Sequence, residues 1–222
     1  MGIDRLHDYL EHFSFGRKTG IDIVGELPGL LPSPAWKRAR RGEPWFPGET
    51  IITGIGQGFF LATPLQLATA TAALANNGQI IQPKVVHAEQ ASGGDELLPH
   101  QPRISETHTI KDQHHWDDVV QAMIDVVHAP RGTARRIGKD SPYRIAGKTG
   151  TAQVFGLKQE EKYDAEAIDE KLRDHSLFIA FAPVEEPVIA VAVIVENGGS
   201  GSAVAAPIAR TIMDAWLLDN PA

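Results

Sequence analysis

Lys148, Thr149 and Thr151 stand close together in Arg144-Ile145-Ala146-Gly147-Lys148-Thr149-Gly150-Thr151-Ala152-Gln153-Val154. They bring one cation and two hydroxyls to a single short stretch. An ammonium attracts an anion by charge, and hydroxyls add directed hydrogen bonds to it. Apolar or β-branched residues flank the group on both sides, so the stretch reads as a β-strand interrupted by a compact polar signature. Gly150 weakens a strand from within, which implies that another backbone or a ligand approaches closely there. The chemistry this suits is the binding of a carboxylate-bearing substrate along a strand edge.

Other chemistries fit less well. Gly147-Lys148-Thr149 matches the end of a phosphate-binding loop, but that motif needs Gly at position 142, where Pro142 stands. It also needs a helix immediately after, and Thr151-Ala152-Gln153-Val154-Phe155 is strand-like. Gly54-Ile55-Gly56-Gln57-Gly58 has the wrong third spacing for a dinucleotide fingerprint and no βαβ setting. His100, His108, His114 and His115 are not joined to Asp, Glu or Cys at ligand spacing, so surface histidines are expected and no metal. No cofactor is called for.

Composition narrows the class. A chain of 222 residues suits one domain or a large piece of one. A formal charge of −7 argues against a nucleic-acid partner. No run approaches the roughly 18 apolar residues of a membrane span. Met1-Gly2-Ile3-Asp4-Arg5 lacks the basic-then-apolar pattern of a signal peptide. Zero Cys excludes disulfides and thiolate chemistry.

The elements that would carry the site follow in order. Ile3, Leu6, Leu10 and Phe13 predict a short amphipathic helix closed by Gly16. From Thr19 to Pro47 the density of Pro and Gly excludes a long regular element. Within it Lys37, Arg38, Arg40 and Arg41 beside Trp36 and Trp45 read as a solvated loop anchored by two aromatics. Contact with anionic lipid or a glycan polymer is the alternative. Thr63 as N-cap and Pro64 at N1 predict a largely buried helix to Asn76, stopped by Asn77-Gly78. Residues 80–88 look extended and 89–111 loop-like. Val119, Val120, Met123, Ile124 and Val127 predict a helix over 116–128, followed by a short turn from Gly132-Thr133-Ala134. Strands are expected at 143–156, 176–182 and 188–195, with a solvated hairpin loop over 158–174 that includes Lys158. A flexible turn is expected at 197–202. A last helix carries Val204, Ile208, Ile212 and Trp216 at i+4 spacing. The class is α+β, an antiparallel sheet flanked by helices.

A series of segments in fixed order sharpens this: Gly54-Ile-Gly-Gln-Gly58, Thr63-Pro-Leu-Gln-Leu67, Ala146-Gly-Lys-Thr-Gly-Thr-Ala152, Phe178-Ile-Ala-Phe-Ala-Pro183 and Glu196-Asn-Gly-Gly199. The series resembles class B penicillin-binding proteins across essentially the whole chain. Met1-Gly-Ile-Asp-Arg-Leu6 and Trp36…Pro44-Trp45…Gly48 look most like the elongation-type D,D-transpeptidases, the penicillin-binding protein 2 branch.

The resemblance implies a transpeptidase fold related to serine β-lactamases, incomplete in residues 1–222. Residues 1–142 would be mainly helices and loops, and 143–222 three strands with a C-terminal helix. In that family the nucleophile lies in Ser-x-x-Lys, accompanied by a Ser-x-Asn-type motif. No Lys of this chain has Ser three positions before it, and no Ser-x-Asn occurs. Both motifs, two strands of a five-stranded sheet, a pedestal domain and a membrane anchor are therefore expected upstream.

By the same resemblance Lys148, Thr149 and Gly150 are catalytic-site residues. Thr149 and Thr151 would hold the terminal carboxylate of a stem peptide, and Gln57 would lie in a loop near the cleft. The implied partners are peptidoglycan stem peptides ending in D-Ala-D-Ala, β-lactams, and cell-elongation proteins. Among the last is a glycosyltransferase of the shape, elongation, division and sporulation family. The implied location is the periplasmic face of the inner membrane. A non-catalytic sensor or assembly module of the same fold is the rival reading.

Overall fold

The computed structural model describes residues 1–90, 92–94, 96–110, 112–154 and 169–219. The chain divides into two compact units, Met1–Thr109 and Ile110–Ala222.

The first unit holds helices α1 (Ile3–Glu11), α2 (Pro34–Arg41), α3 (Pro47–Gly54) and α4 (Pro64–Ala75), then strands β1 (Gln79–Ile81), β2 (Ala88–Gln90), β3 (Leu97–Pro99) and β4 (Ile104–Thr107). Its organiser is the start of α4. Thr63 Oγ1 accepts from Gln66 N and Gln66 Oε1 accepts from Thr63 N, a reciprocal cap. The fully buried Gln66 amide also donates to the carbonyls of Ser14, Arg17 and Pro28. One side chain thus satisfies backbone groups that the Pro/Gly-rich segment leaves unpaired. Asn77 (φ 49°) and Gly78 (φ 87°) end the helix in the left-handed region, as expected.

Three expectations fail in this unit. The basic run is not a solvated loop but helix α2. Ser33 Oγ accepts from Trp36 N, Pro34 sits at N1, and Gly42 closes the helix with φ 70°. Lys37 is 1% exposed and donates to Glu49 Oε1 at 2.6 Å, whereas Arg38, Arg40 and Arg41 face solvent. Residues 89–111 are not simply a loop: β1 pairs with β4 and β2 with β3, both antiparallel. His108, expected at the surface, stacks on His12 at 4.6 Å and meets the Tyr9 ring edge-on.

The second unit holds α5 (Gln113–His128), α6 (Arg135–Gly138), β5 (Ala146–Ala152), β6 (His175–Ala182), β7 (Ile189–Val195) and α7 (Ala205–Leu217). The strands form an antiparallel sheet in the order β5-β6-β7. Opposite residues of an antiparallel pair share a face. Phe178 and Ala180 of β6 therefore join Val193 and Val191 of β7, and all four are buried. Helix α7 covers this face and α5 packs on β5.

The face of α7 that does this is not the large i+4 stripe. Ala205, Ala206, Ala209 and Met213 are fully buried, while Ile208, Ile212 and Trp216 are 41%, 43% and 55% exposed. Small residues let the helix come down onto the sheet, and close packing rewards that approach over side-chain size. A clamp fixes the helix further along: Tyr143 OH donates to Asp214 Oδ1 at 2.5 Å, and Arg210 bonds both Asp214 and the Ile137 carbonyl. Burial first, then the neighbouring Asp214, pushes the Tyr143 hydroxyl pKa well up, so it stays a donor.

The turn at 197–202 is pinned rather than flexible. The Asn197 side chain donates to the carbonyls of Lys171 and Arg173, and Gly199 N donates to Asp174 O. Ser176 Oγ, fully buried, donates to Ser200 O and accepts from Ala205 N, capping α7 from the neighbouring strand. Most of the expected hairpin loop, Lys158 included, lies outside the described residues.

Candidate functional site

Strand β5 begins two residues after Arg144 and ends at Ala152, shorter than the expected 143–156. Its register on β6 pairs Gly147 with Ala180, Lys148 with Ile179, Thr149 with Phe178, Gly150 with Leu177 and Thr151 with Ser176. β6 occupies one edge of β5, and among the described residues no strand pairs with the other. Successive side chains alternate between faces, so Lys148 and Gly150 share one and Thr149 and Thr151 the other. What all four share is β5 itself, whose edge away from β6 has no strand partner among the described residues, the kind of edge to which an extended chain can add.

Packing on the sheet explains both glycines. A Cβ on Gly147 would lie 2.6 Å from the Phe178 ring, so the core itself requires glycine there. At Gly150 the sequence left two neighbours open, another backbone or a ligand. The approach found is from this chain: a Cβ on Gly150 would meet Leu177 Cβ at 3.2 Å, and Gly201 presses against the Gly150 backbone.

Lys148 is exposed and its ammonium donates to the Thr149 carbonyl at 2.7 Å. An exposed ammonium bonded only locally needs little reorganisation to turn towards an anion. Thr149, half-buried, has its Oγ1 3.1 Å from Thr133 Oγ1. Thr151 is exposed. The strand's entry is set by His128, whose Nε2 accepts from Ile145 N at 2.9 Å. Burial, then the Arg144 charge, holds the His128 imidazole below the usual histidine pKa, in the neutral form this bond needs.

Of the residues singled out by the sequence, Lys148, Thr149, Gly150 and Thr151 come together on β5. Gln57 belongs to the first unit, in the turn after α3, between Gly56 (φ 75°) and Gly58 (φ 74°). Thr133 is the polar group that sequence reasoning passed over. It was noted only as part of a turn, since one hydroxyl in a Gly-rich turn has no spacing signal of its own. Among the described residues no cluster of His, Cys, Asp and Glu is arranged to hold a metal, and no helix is long and apolar enough to cross a membrane. The arrangement offers one cation and two hydroxyls along a strand.

Comparison with known proteins finds matches over nearly the whole chain. Residues 1–214 match the penicillin binding protein transpeptidase domain. The peptidoglycan D,D-transpeptidase MrdA of Salmonella typhimurium strain SL1344 is 44% identical over 215 residues, which cover 96% of this chain and 34% of that protein. The crystal structure of Pseudomonas aeruginosa PBP2 in complex with WCK 5153 is 48% identical with a TM-score of 0.83, covering 99% of this chain and 45% of that one. PBP2 of Helicobacter pylori, in a complex with MreC, is 29% identical with a TM-score of 0.75, covering 98% and 36%. The chain spans about a third of the length of the curated relatives it matches.

Proposed function

The chain belongs to the penicillin-binding protein transpeptidase domain family, and from that membership we propose that it is the C-terminal part of a peptidoglycan D,D-transpeptidase domain. In this reading it supplies one wall of the cleft, and the nucleophilic serine lies on polypeptide outside residues 1–222. The observation that carries the proposal is strand β5, where Lys148, Thr149, Gly150 and Thr151 follow one another beside an edge that, among the described residues, has no strand on the side away from β6.

The chemistry follows from that edge. A stem peptide ending in D-Ala-D-Ala adds to β5 as an extended strand, with Gly150 keeping the backbone path clear. Thr149 and Thr151 donate to its terminal carboxylate, and Lys148 supplies positive potential and helps to organise proton transfer. The serine oxygen bonds the penultimate carbonyl carbon, the amide C–N bond breaks, and D-Ala leaves with a proton on its nitrogen. The Thr151 N–H is one donor to the oxyanion, and the serine's own N–H is the other. An amine of a neighbouring stem then takes the acyl group and releases the serine. A β-lactam is attacked at its ring carbonyl by the same serine.

The parent protein is assigned to the periplasmic face of the inner membrane, held there by an anchor outside this chain. It would work with elongation partners, such as the MreC that the Helicobacter pylori relative is found with and a glycosyltransferase of the shape, elongation, division and sporulation family. The absence of Ser-x-x-Lys in these 222 residues also suits a non-catalytic binding or assembly module. Incubation with a reporter penicillin separates the two. The 222-residue chain gives no covalent adduct by intact-mass spectrometry, while the parent protein gains one equivalent. An adduct on the isolated chain, or none on the parent, overturns the proposal.

A further inference from the structure

We propose that Thr133 is a positioning residue for Thr149, fixing the direction in which the Thr149 hydroxyl offers its proton to the carboxylate of an acyl donor. The inference rests on the cleft reading above and adds to it a residue from outside the Lys-Thr-Gly strand.

The geometry is a contact between two hydroxyls, Thr133 Oγ1 and Thr149 Oγ1, 3.1 Å apart and sixteen positions apart in sequence. Each hydroxyl has one proton to give and lone pairs to receive. Taken alone the pair is symmetric. A carboxylate breaks the symmetry, because it only accepts. With a carboxylate at the β5 edge, Thr149 spends its proton on the anion and its lone pair is left to accept from Thr133. The order is then Thr133 to Thr149 to carboxylate. Each bond in such a chain polarises the next, so the outer donor becomes stronger. Without Thr133 the Thr149 hydroxyl rotates freely and must be ordered by the substrate itself.

The turn that presents Thr133 is built to hold it still. Gly132 lies against the end of α5 so tightly that a Cβ there would stand 2.4 Å from the Val126 carbonyl. Ala134 N donates to that same carbonyl at 2.9 Å, and Gly132 N to Ala129 O at 2.9 Å. Ala134 and Ile137 then enter the core, 1% and 5% exposed. Thr133 is the exposed residue between these anchors. Packing accounts for its neighbours and does not ask for a hydroxyl at 133. The partner it meets is Thr149, one of the two threonines of β5.

The test uses the parent protein carrying Thr133→Val, Thr133→Ser, Thr149→Val and the Thr133→Val/Thr149→Val pair. Two acyl donors are compared: a reporter penicillin, which has a carboxylate, and a reactive thioester of otherwise similar shape that has none. Loss of one hydrogen bond at an exposed site predicts that Thr133→Val slows penicillin acylation about fivefold and leaves the thioester within about twofold. Thr133→Ser restores most of the penicillin rate. In the Thr149→Val background the second change adds nothing further, since Thr133 acts only through Thr149. Equal losses on both donors, or losses that multiply in the pair, overturn the inference and make Thr133 a fold residue. If Thr149→Val itself is neutral, the cleft assignment fails and the inference with it. If Thr149→Val is impaired and Thr133→Val is not, the inference alone fails.

Discussion

Lys37 and Lys148 are the same residue type in opposite situations, and the surrounding sequence disguises both. Lys37 sits in a basic run that reads as solvated, yet it is 1% exposed, donates to Glu49 at 2.6 Å, lies 3.4 Å from Glu43 and covers the Phe46 ring. Lys148 sits mid-strand between Gly147 and Thr149, yet it is exposed, and among the described residues its ammonium bonds only the Thr149 carbonyl. The first joins two helices by neutralising an acid. The second holds its charge at an edge where the charge serves the fold little. A buried, paired cation is costly to remove because its partners were matched to it, whereas an exposed one is cheap to the fold. That contrast separates a lysine tied to the fold from one left available to a ligand, without reference to any motif.

The sharpest way to break the contrast is Lys148→Ala in the parent protein. Losing a charge-assisted contact to the substrate should slow penicillin acylation by about tenfold or more, with thermal stability held to within about 0.5 kcal/mol. A large fall in stability instead would make Lys148 a second Lys37. Lys37→Met is the converse. It keeps the apolar stem and deletes the ammonium, and should cost about 1–2 kcal/mol in chemical denaturation while the folded fraction still acylates at the parental rate. An acylation defect without a stability loss would reverse the two roles.

Acid should separate the two regions by smaller amounts. The Lys37 ammonium, helped by the Phe46 N–H, holds the Glu49 carboxyl below its ordinary 4.5. A depressed carboxylate stabilises above its unfolded pKa, so the α2–α3 corner should keep its strength until the pH falls through about 4.5 and below. His128, under the start of β5, is depressed from 6.5 by burial. Its unfolded form takes a proton first, so that contribution is present above about 6.5 and is lost as the pH drops further. Hydrogen exchange read between pH 7.5 and 5 should therefore show the Ile145 amide losing protection while the Lys37 corner is unchanged. Simultaneous loosening of both would show that His128 does not govern the strand's entry.

Much of the fold around the site was legible because its signal is local. Apolar and β-branched runs located β5, β6 and β7 to within a few residues, and Thr63-Pro64 marked the start of α4 by cap chemistry alone. Helix α2 was hidden by the density of prolines around it, although Ser33-Pro34 at its start and Gly42 at its end were available to read. The covered face of α7 does not follow from periodicity, which favours the largest apolar residues. The sheet instead selects Ala205, Ala206 and Ala209 by how close a helix axis can approach. Thr133 was beyond reach, since what matters about it is a neighbour sixteen positions away that only the folded chain supplies.

Gly201 gives the strand a mechanical character. Its own missing Cβ would stand 2.4 Å from both the Gly150 and Leu177 carbonyls, and its carbonyl receives the Ala206 N–H in the first turn of α7. The Lys-Thr-Gly strand therefore has an anvil behind it. A peptide pressed onto β5 cannot bow the strand backwards without driving α7 off the sheet, so the load passes into the whole second unit and the wall recoils very little. A side chain at 201 would act as a wedge and set the strand permanently out of true.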